Sequence, residues 1–469
     1  MNIDVIALAP FAVLAAAAIV AMLLAPLGDC RPAYIAAAFG LVCAALPALV
    51  RLGAGAAVAG RATGGFTALL ADDGLARFGI VISCLSGLAA LAFLRPSVRA
   101  PEGAALVVIA ALGAATLSAA IHAATLFLGL EIVSVASIAL FVLPLTRPAL
   151  EAGYKFLILG GVGAGALLLA FALSYAATGR LGFAAWSDGS LLTALGAALL
   201  LAGLAFKLSL VPFHMWAPDV YEGAPAAAVS IAGIASKTAV VIVLLRLTAV
   251  SPPEPVWTGG LALAGAASIL FGNLLALRQT SLTRMLGYSS VAHSGCLAVI
   301  LGSGAPIARE AALFYLAAYA PALLAALCAA AAVGPDPHLN ELRALVWRRP
   351  LIGAVLALSL VSLAGLPIAA GFLTKLYLFA ALLESHAWAL LGIAVVGSAL
   401  GFFYYFRFLI AAFTAEPGVE AQDDRWTRPA AFPFPGRAVL LACALLMLVI
   451  GVYPGPLIGV LRAAATASR

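Results

Sequence analysis

The chain has 469 residues, of which 65% are hydrophobic and only 9% charged, against roughly 25% charged in an ordinary soluble domain. That balance excludes a soluble enzyme and implies an integral membrane protein. The formal charge of +6 is dispersed over loops and forms no basic patch, which argues against a nucleic-acid partner.

A helix needs ~20 apolar residues to cross the hydrocarbon core of a bilayer. Apolar stretches bounded by Arg, Pro, Gly and Asp number about fourteen, near 3–25, 32–51, 74–94, 103–121, 123–144, 151–177, 190–215, 220–248, 257–277, 285–303, 307–333, 351–383, 387–414 and 437–460. The expected fold is an all-α polytopic membrane protein. The first stretch lacks a basic leading region and is long enough to span, so it reads as a retained helix and not a cleaved signal. Arg31, Arg95, Arg99, Arg147, Arg278, Arg284, Arg343, Arg348, Arg349, Arg425, Arg428 and Arg437 follow odd-numbered helices, while the smaller set Arg51, Arg61, Arg180 and Arg309 lies on the other side. The positive-inside rule then puts the first set in the cytoplasm and both termini in the periplasm. Cys30, Cys43, Cys84, Cys296, Cys328 and Cys443 have no ligand spacing and read as small apolar filler.

In chain order, residues 1–102 hold the first three helices. The fifth helix carries Glu131, with no arginine or lysine within a helical turn. A buried carboxylate needs a cation or a proton. Lys155 lies near the start of the sixth helix, where its stem could snorkel to the interface. The seventh reads Phe206-Lys207-Leu208-Ser209-Leu210-Val211-Pro212-Phe213-His214, and Pro212 is expected to break it near mid-membrane. Lys237 falls inside the eighth helix between Ser236 and Thr238, and His293 in the tenth follows Tyr288-Ser289-Ser290. The twelfth is interrupted at Gly365-Leu366-Pro367 and Gly371, just before Lys375. The polar stretch 415–436 is expected to lie on the membrane surface before a last helix in the unit 415–469.

These four lysines are all the lysine in the chain, and all lie in long apolar segments while the loops use arginine. A desolvated ammonium can exist neutral, whereas a guanidinium stays charged. An ionisable group at membrane depth costs at least ~2.5 kcal/mol, and its default reading is a charge pathway. Lys207 is the expected partner of Glu131. Separating such a pair would release a proton, and the competing reading is a static ion pair that fixes packing. His214 and His293 can relay protons near neutral pH, or simply sit satisfied in the core. His122, His338 and His386 fall at helix ends or loops. Nucleotide-binding fingerprints and a hydrolytic carboxylate pair are missing, so energy is expected from a gradient or from partner subunits. Two interrupted segments at matching places suggest duplicated, inverted five-helix halves, spanning 103–248 and 249–414.

The stretch from Phe206 through Pro218-Asp219-Val220-Tyr221-Glu222-Gly223-Ala224-Pro225 closely resembles the signature of the antiporter-like subunits of proton-pumping NADH:quinone oxidoreductase, respiratory complex I, and is most similar to subunit N. Ser236-Lys237, Gly272-Asn273 through Gln279-Thr280, Tyr288 to His293, Leu363 to Lys375 and Gly451 to Pro456 extend the resemblance to nearly the whole chain. It implies fourteen helices with two inverted five-helix repeats and a proton path along a central polar axis. Glu131 and Lys207 then become the interacting pair, Lys237 the connector and Lys375 the terminal proton site, while Lys155 matches a lysine before a Phe-Leu run. It also implies a multi-pass protein of the bacterial inner membrane that binds no cofactor itself. NADH, flavin, iron–sulfur clusters and quinone would belong to partner subunits, and its contacts would be neighbouring membrane subunits, lipid and protons. Two departures, a single proline in Leu366-Pro367-Ile368 and Pro321 in Tyr319-Ala320-Pro321-Ala322, bear on the hydration of the second half. Alternatives are a subunit of a multi-component sodium/proton antiporter or membrane-bound hydrogenase, separable by co-purification, and a structural scaffold whose lysines only lock helices together.

Overall fold

The computed structural model describes residues 5–27, 30–53, 69–94, 100–250, 256–414 and 434–466. Among these the chain is helical, and its β pairing is confined to three isolated bridges. The helices are α1 (Val5–Leu24), α2 (Cys30–Gly53), α3 (Gly74–Phe93), α4 (Ala100–Ser118), α5 (Ala123–Val142), α6 (Arg147–Thr178), α7 (Leu191–Leu208) and α8 (Trp216–Gly223). They continue with α9 (Ala226–Leu247), α10 (Val256–Ala276), α11 (Leu282–Gly302), α12 (Ala308–Val333), α13 (Pro350–Ala364), α14 (Ala370–Glu384), α15 (Trp388–Phe413), α16 (Phe434–Val452) and α17 (Gly455–Thr466). Thirteen described helices are long and apolar enough to cross a membrane, and the expected segment 351–383 supplies a further span in two pieces, α13 and α14.

Two boundaries are the expected interruptions and two more differ from the sequence expectation, each at a backbone-breaking residue. The helix expected over 190–215 stops at Leu208, before Pro212, and the one expected over 351–383 stops at Ala364, before Pro367. The segment expected over 220–248 is two helices, because Pro225 has no N–H to carry the ladder from α8 into α9. The last segment ends at Val452, short of 460, and Pro454 and Pro456 restart the chain as the separate helix α17. Pro321 leaves α12 continuous. The connector at 415–433, with Arg425 and Arg428, and the loop arginines Arg61, Arg95 and Arg99 lie outside the described residues.

The bundle has a clear centre. All of the best 18-residue window of α9 is buried, against 22% for α6, so α9 is enclosed by protein while α6 faces the surroundings along most of its length. The carboxyl end of α9 is fixed by Arg246, whose guanidinium meets Asp73 twice, Nη1 to Oδ2 at 2.6 Å and Nη2 to Oδ1 at 2.7 Å. Asp73 also caps α3 by accepting from the Ala76 amide at 2.8 Å. Burial alone would raise this carboxyl, but the charge and hydrogen bonds of Arg246, the Ala76 amide and Arg77 hold it below the usual carboxylate range. Helix α17 is held by Arg462, which donates to Glu310 of α12 at 2.9 and 3.1 Å.

Candidate functional site

Helix α7 ends because Ser209 adopts left-handed backbone, φ 56° and ψ 39°. The Ser209 amide then bonds Phe206 O and the Leu210 amide bonds Ala205 O, both at 2.9 Å, which closes the helix end in a Schellman arrangement. Mid-membrane, every freed backbone group needs a partner. Trp216 Nε1 supplies one to Phe206 O at 2.8 Å, and Ser268 Oγ accepts from the Val211 amide at 2.8 Å. These partners come from the protein itself, and Lys207 lies two residues before the break at Ser209.

Lys207 is 4% exposed. Its ammonium donates to Ser134 Oγ on α5 and lies 4.5 Å from the centre of the Phe156 ring, a cation–π contact. The expected partner Glu131 is one helical turn away on α5, half-buried. It lies beyond ion-pairing contact and within electrostatic range of Lys207. The atom that touches the lysine is thus a hydroxyl, at i+3 from the carboxylate on the same helix.

In α9 the ladder widens over Ile231–Ser236 into i→i+5 bonding before Lys237. Such a bulge redirects the side chains that follow it. Lys237, 2% exposed, aims its ammonium at Ser209 Oγ (2.7 Å), Ser290 Oγ (2.7 Å) and Ser294 Oγ (2.9 Å). Ser209 is the residue that breaks α7, so the turn after Lys207 ends on Lys237. Ser290 also accepts from Tyr221 at 2.8 Å and Tyr319 at 3.0 Å.

One turn beyond Ser290, His293 meets Tyr315 through Nδ1 at 2.6 Å and Tyr405 through Nε2 at 3.1 Å, and its ring centre lies 4.9 Å from that of Tyr319. Tyr405 continues to Ser289. His293, Tyr315 and Tyr405 share a cavity with Asn273, Cys296 and Lys375. Lys375 donates to Ala364 O, the freed carbonyl at the end of α13. Its stem crosses Gly365, where a Cβ would lie 2.5 Å from Lys375 Cδ and Cε and where φ is +74°. Both features favour glycine at 365.

Two of the expected lysines, Lys207 and Lys237, are buried among these polar contacts, and His293 and Lys375, half-buried, share a cavity beside them. Lys155 stands apart. It is 41% exposed and pairs with Glu151 at 2.7 Å and Asp219 at 2.6 Å, and Asp219 also meets Arg284. His214 sits in the turn after α7 with its Nδ1 unpartnered among the described residues, and no hydrogen bond joins it to a lysine. Among the described residues no group of three or more His, Cys, Asp or Glu could hold a metal ion. Sequence reasoning did not single out Ser134, Ser209, Ser290, Ser294 or the tyrosines as site residues, because hydroxyl residues in apolar helices are common. Only their distance from a buried ammonium identifies them.

A family model described as "NADH:quinone oxidoreductase/Mrp antiporter, TM" matches residues 120–401. The chain is 53% identical over 460 residues to NADH-quinone oxidoreductase subunit N of Rhodopseudomonas palustris, covering 98% of each. It is similar to a chain of respiratory complex I from Thermus thermophilus solved with bound aureothin, at TM-score 0.81 and 32% identity over 96% of this chain and 98% of that one. The membrane-bound sulfane sulfur reductase, an archaeal respiratory membrane complex, contains a chain alike in fold, at TM-score 0.86 and 24% identity over 99% of this chain and 97% of that one.

Proposed function

The chain belongs to the NADH:quinone oxidoreductase/Mrp antiporter membrane family, within it to subunit N of NADH-quinone oxidoreductase, and on that ground we propose that it carries protons across the membrane without redox chemistry of its own. NADH, flavin, iron–sulfur clusters and quinone are then held by partner subunits, and quinone reduction there drives the transfer. Moving one proton against ~150 mV takes about 3.5 kcal/mol.

One observation carries this reading. Lys207, Lys237 and Lys375 meet hydroxyl and carbonyl oxygens, and none has a carboxylate within ion-pairing distance among the described residues. A carboxylate in contact would pin the proton on the amine. A serine or tyrosine hydroxyl both donates and accepts, so it can face either an ammonium or a neutral amine and pass a proton along. Glu131, close to Lys207 but not touching it, is placed to favour the charged lysine when the two approach. Lys155, doubly paired at the surface, serves this reading best as an anchor between α6 and α8. The two interrupted helices, α7–α8 and α13–α14, support reading 103–248 and 249–414 as two inverted repeats.

The test is Lys375→Ala in native membranes, with assembly and co-purification of the NADH-oxidising subunits checked on the same sample. The expected result is an assembled complex whose NADH-driven pumping and quinone turnover fall together by about a hundredfold. Full pumping in the assembled variant contradicts the proposal. Loss of assembly, with the remaining complexes pumping normally per turnover, assigns the lysine to a scaffold.

A further inference from the structure

A cavity of about 350 Å³ lies off the lysine axis, at the end of the bundle where α3, α5 and α12 finish and α4 begins. It could hold roughly ten waters at ~30 Å³ each. Its walls include Phe93, Leu94, Leu143 and Leu327, and its polar side chains include Thr146, Glu222 and Thr283. Glu222 pairs with Arg284, and Thr283 donates to Asp336 at 2.5 Å. The arginine-rich loops place this end in the cytoplasm.

Tyr221 also lines the cavity and is only 1% exposed. Its hydroxyl donates to Ser290 Oγ at 2.8 Å, the oxygen that lies 2.7 Å from the Lys237 ammonium. The seat for that hydroxyl is Gly233, in the widened turn of α9, where a Cβ would lie 2.4 Å from the Tyr221 oxygen. The bulge that aims Lys237 therefore also makes room for Tyr221. One residue separates an aqueous-sized cavity from the most enclosed lysine of the axis.

We propose that Tyr221 is the link through which protons from this cytoplasmic-side cavity reach Lys237. The proposal rests on the reading of Lys237 as a proton carrier. When Lys237 is neutral, Ser290 gives its proton to the amine, Tyr221 reprotonates Ser290, and water in the cavity reprotonates Tyr221. One proton enters, Lys237 gains it, and each hydroxyl ends as it began.

The test uses the whole complex in inverted membrane vesicles, whose cytoplasmic face is outward. Tyr221→Phe keeps the ring and removes the link. Turnover and pumping should fall by about a hundredfold, and the ratio of turnover in H2O to that in D2O should rise, which a packing defect would not cause. Gly233→Ala, which pushes the hydroxyl off Ser290 without replacing a proton-carrying residue, should reproduce both changes. Parental pumping and isotope ratio in assembled Tyr221→Phe overturn the proposal. If that variant does not assemble, Ala331→Cys on the cavity wall decides. Labelling above parental background by an impermeant cationic methanethiosulfonate, with loss of pumping, supports the access route, and absence of labelling overturns it. Lys237→Ala separates the two levels: if it stops pumping while Tyr221→Phe does not, only the access route fails, and if neither matters the transport reading fails as well.

Discussion

The two interrupted helices use one backbone device in two ways. Both α7 and α13 end with a left-handed residue, and each end closes with the same pair of bonds, from Ser209 and Leu210 in the first and from Gly365 and Leu366 in the second. In the first the lysine precedes the break and is held by side chains, Ser134 and the Phe156 ring. In the second the lysine follows the break, folds back over it and is held by the broken helix's own carbonyl. The left-handed residue differs to match. Serine stands at 209, at a strain of roughly 1 to 2 kcal/mol, because its hydroxyl faces Lys237, while glycine stands at 365 because the lysine stem fills the space a side chain would need.

The comparison fails first at Gly365. Gly365→Ala combines left-handed strain with overlap on Lys375, so it should lower stability by about 4 kcal/mol, read as loss of assembled subunit on native gels. Normal assembly would mean that Lys375 does not cross this glycine. Asp73→Asn supplies a control outside both breaks. Leaving Arg246 buried without its charge partner should cost about 3 kcal/mol, while protons pumped per NADH stay at the parental value in complexes that form. A changed ratio would place the Asp73–Arg246 clamp in the transport route. Because the folded carboxyl is depressed, its contribution is present above the ordinary value near 3.8 and is lost as pH falls through the folded one. The stability gap between parent and Asp73→Asn should therefore close only in strong acid.

Smaller effects sharpen the contrast. Ser209→Gly relaxes the first break but removes an oxygen from Lys237. Assembly should hold while pumping falls about threefold, the scale of one hydrogen bond; unchanged pumping would mean that the two breaks are interchangeable. Tyr405→Phe takes one of two partners from His293 and should slow pumping about twofold, with a measurable effect only if His293 lies on the route to Lys375.

The apolar segments and both interruptions were legible in the sequence, because Pro212, Pro367 and Gly365 stand out in long apolar runs. The extra boundaries at Pro225 and Pro454 carried the same signal and were read through. The widened turn at Ile231–Ser236 was not legible, since a change from i→i+4 to i→i+5 bonding leaves no mark in composition. Lys207, Lys237, Lys375 and His293 were singled out by type and depth, and in the structure Lys237 meets serines at the end of α7 and in α11 while His293 shares a cavity with Lys375. Lys155 already differed in sequence by its place near the start of its helix, and its carboxylate neighbours from α6 and α8 separate it further from the others. Glu131 lies within electrostatic range of Lys207, its expected partner, but residue order cannot say that Ser134, one turn along, makes the contact.

The most direct test of the polar axis is NADH-driven proton pumping and NADH:quinone turnover in native membranes carrying Lys207→Ala, with assembly confirmed on the same sample. The account predicts an assembled complex in which pumping and turnover fall together. Unchanged assembly, turnover and pumping would contradict it, because the most tightly enclosed lysine of the first break would then carry nothing.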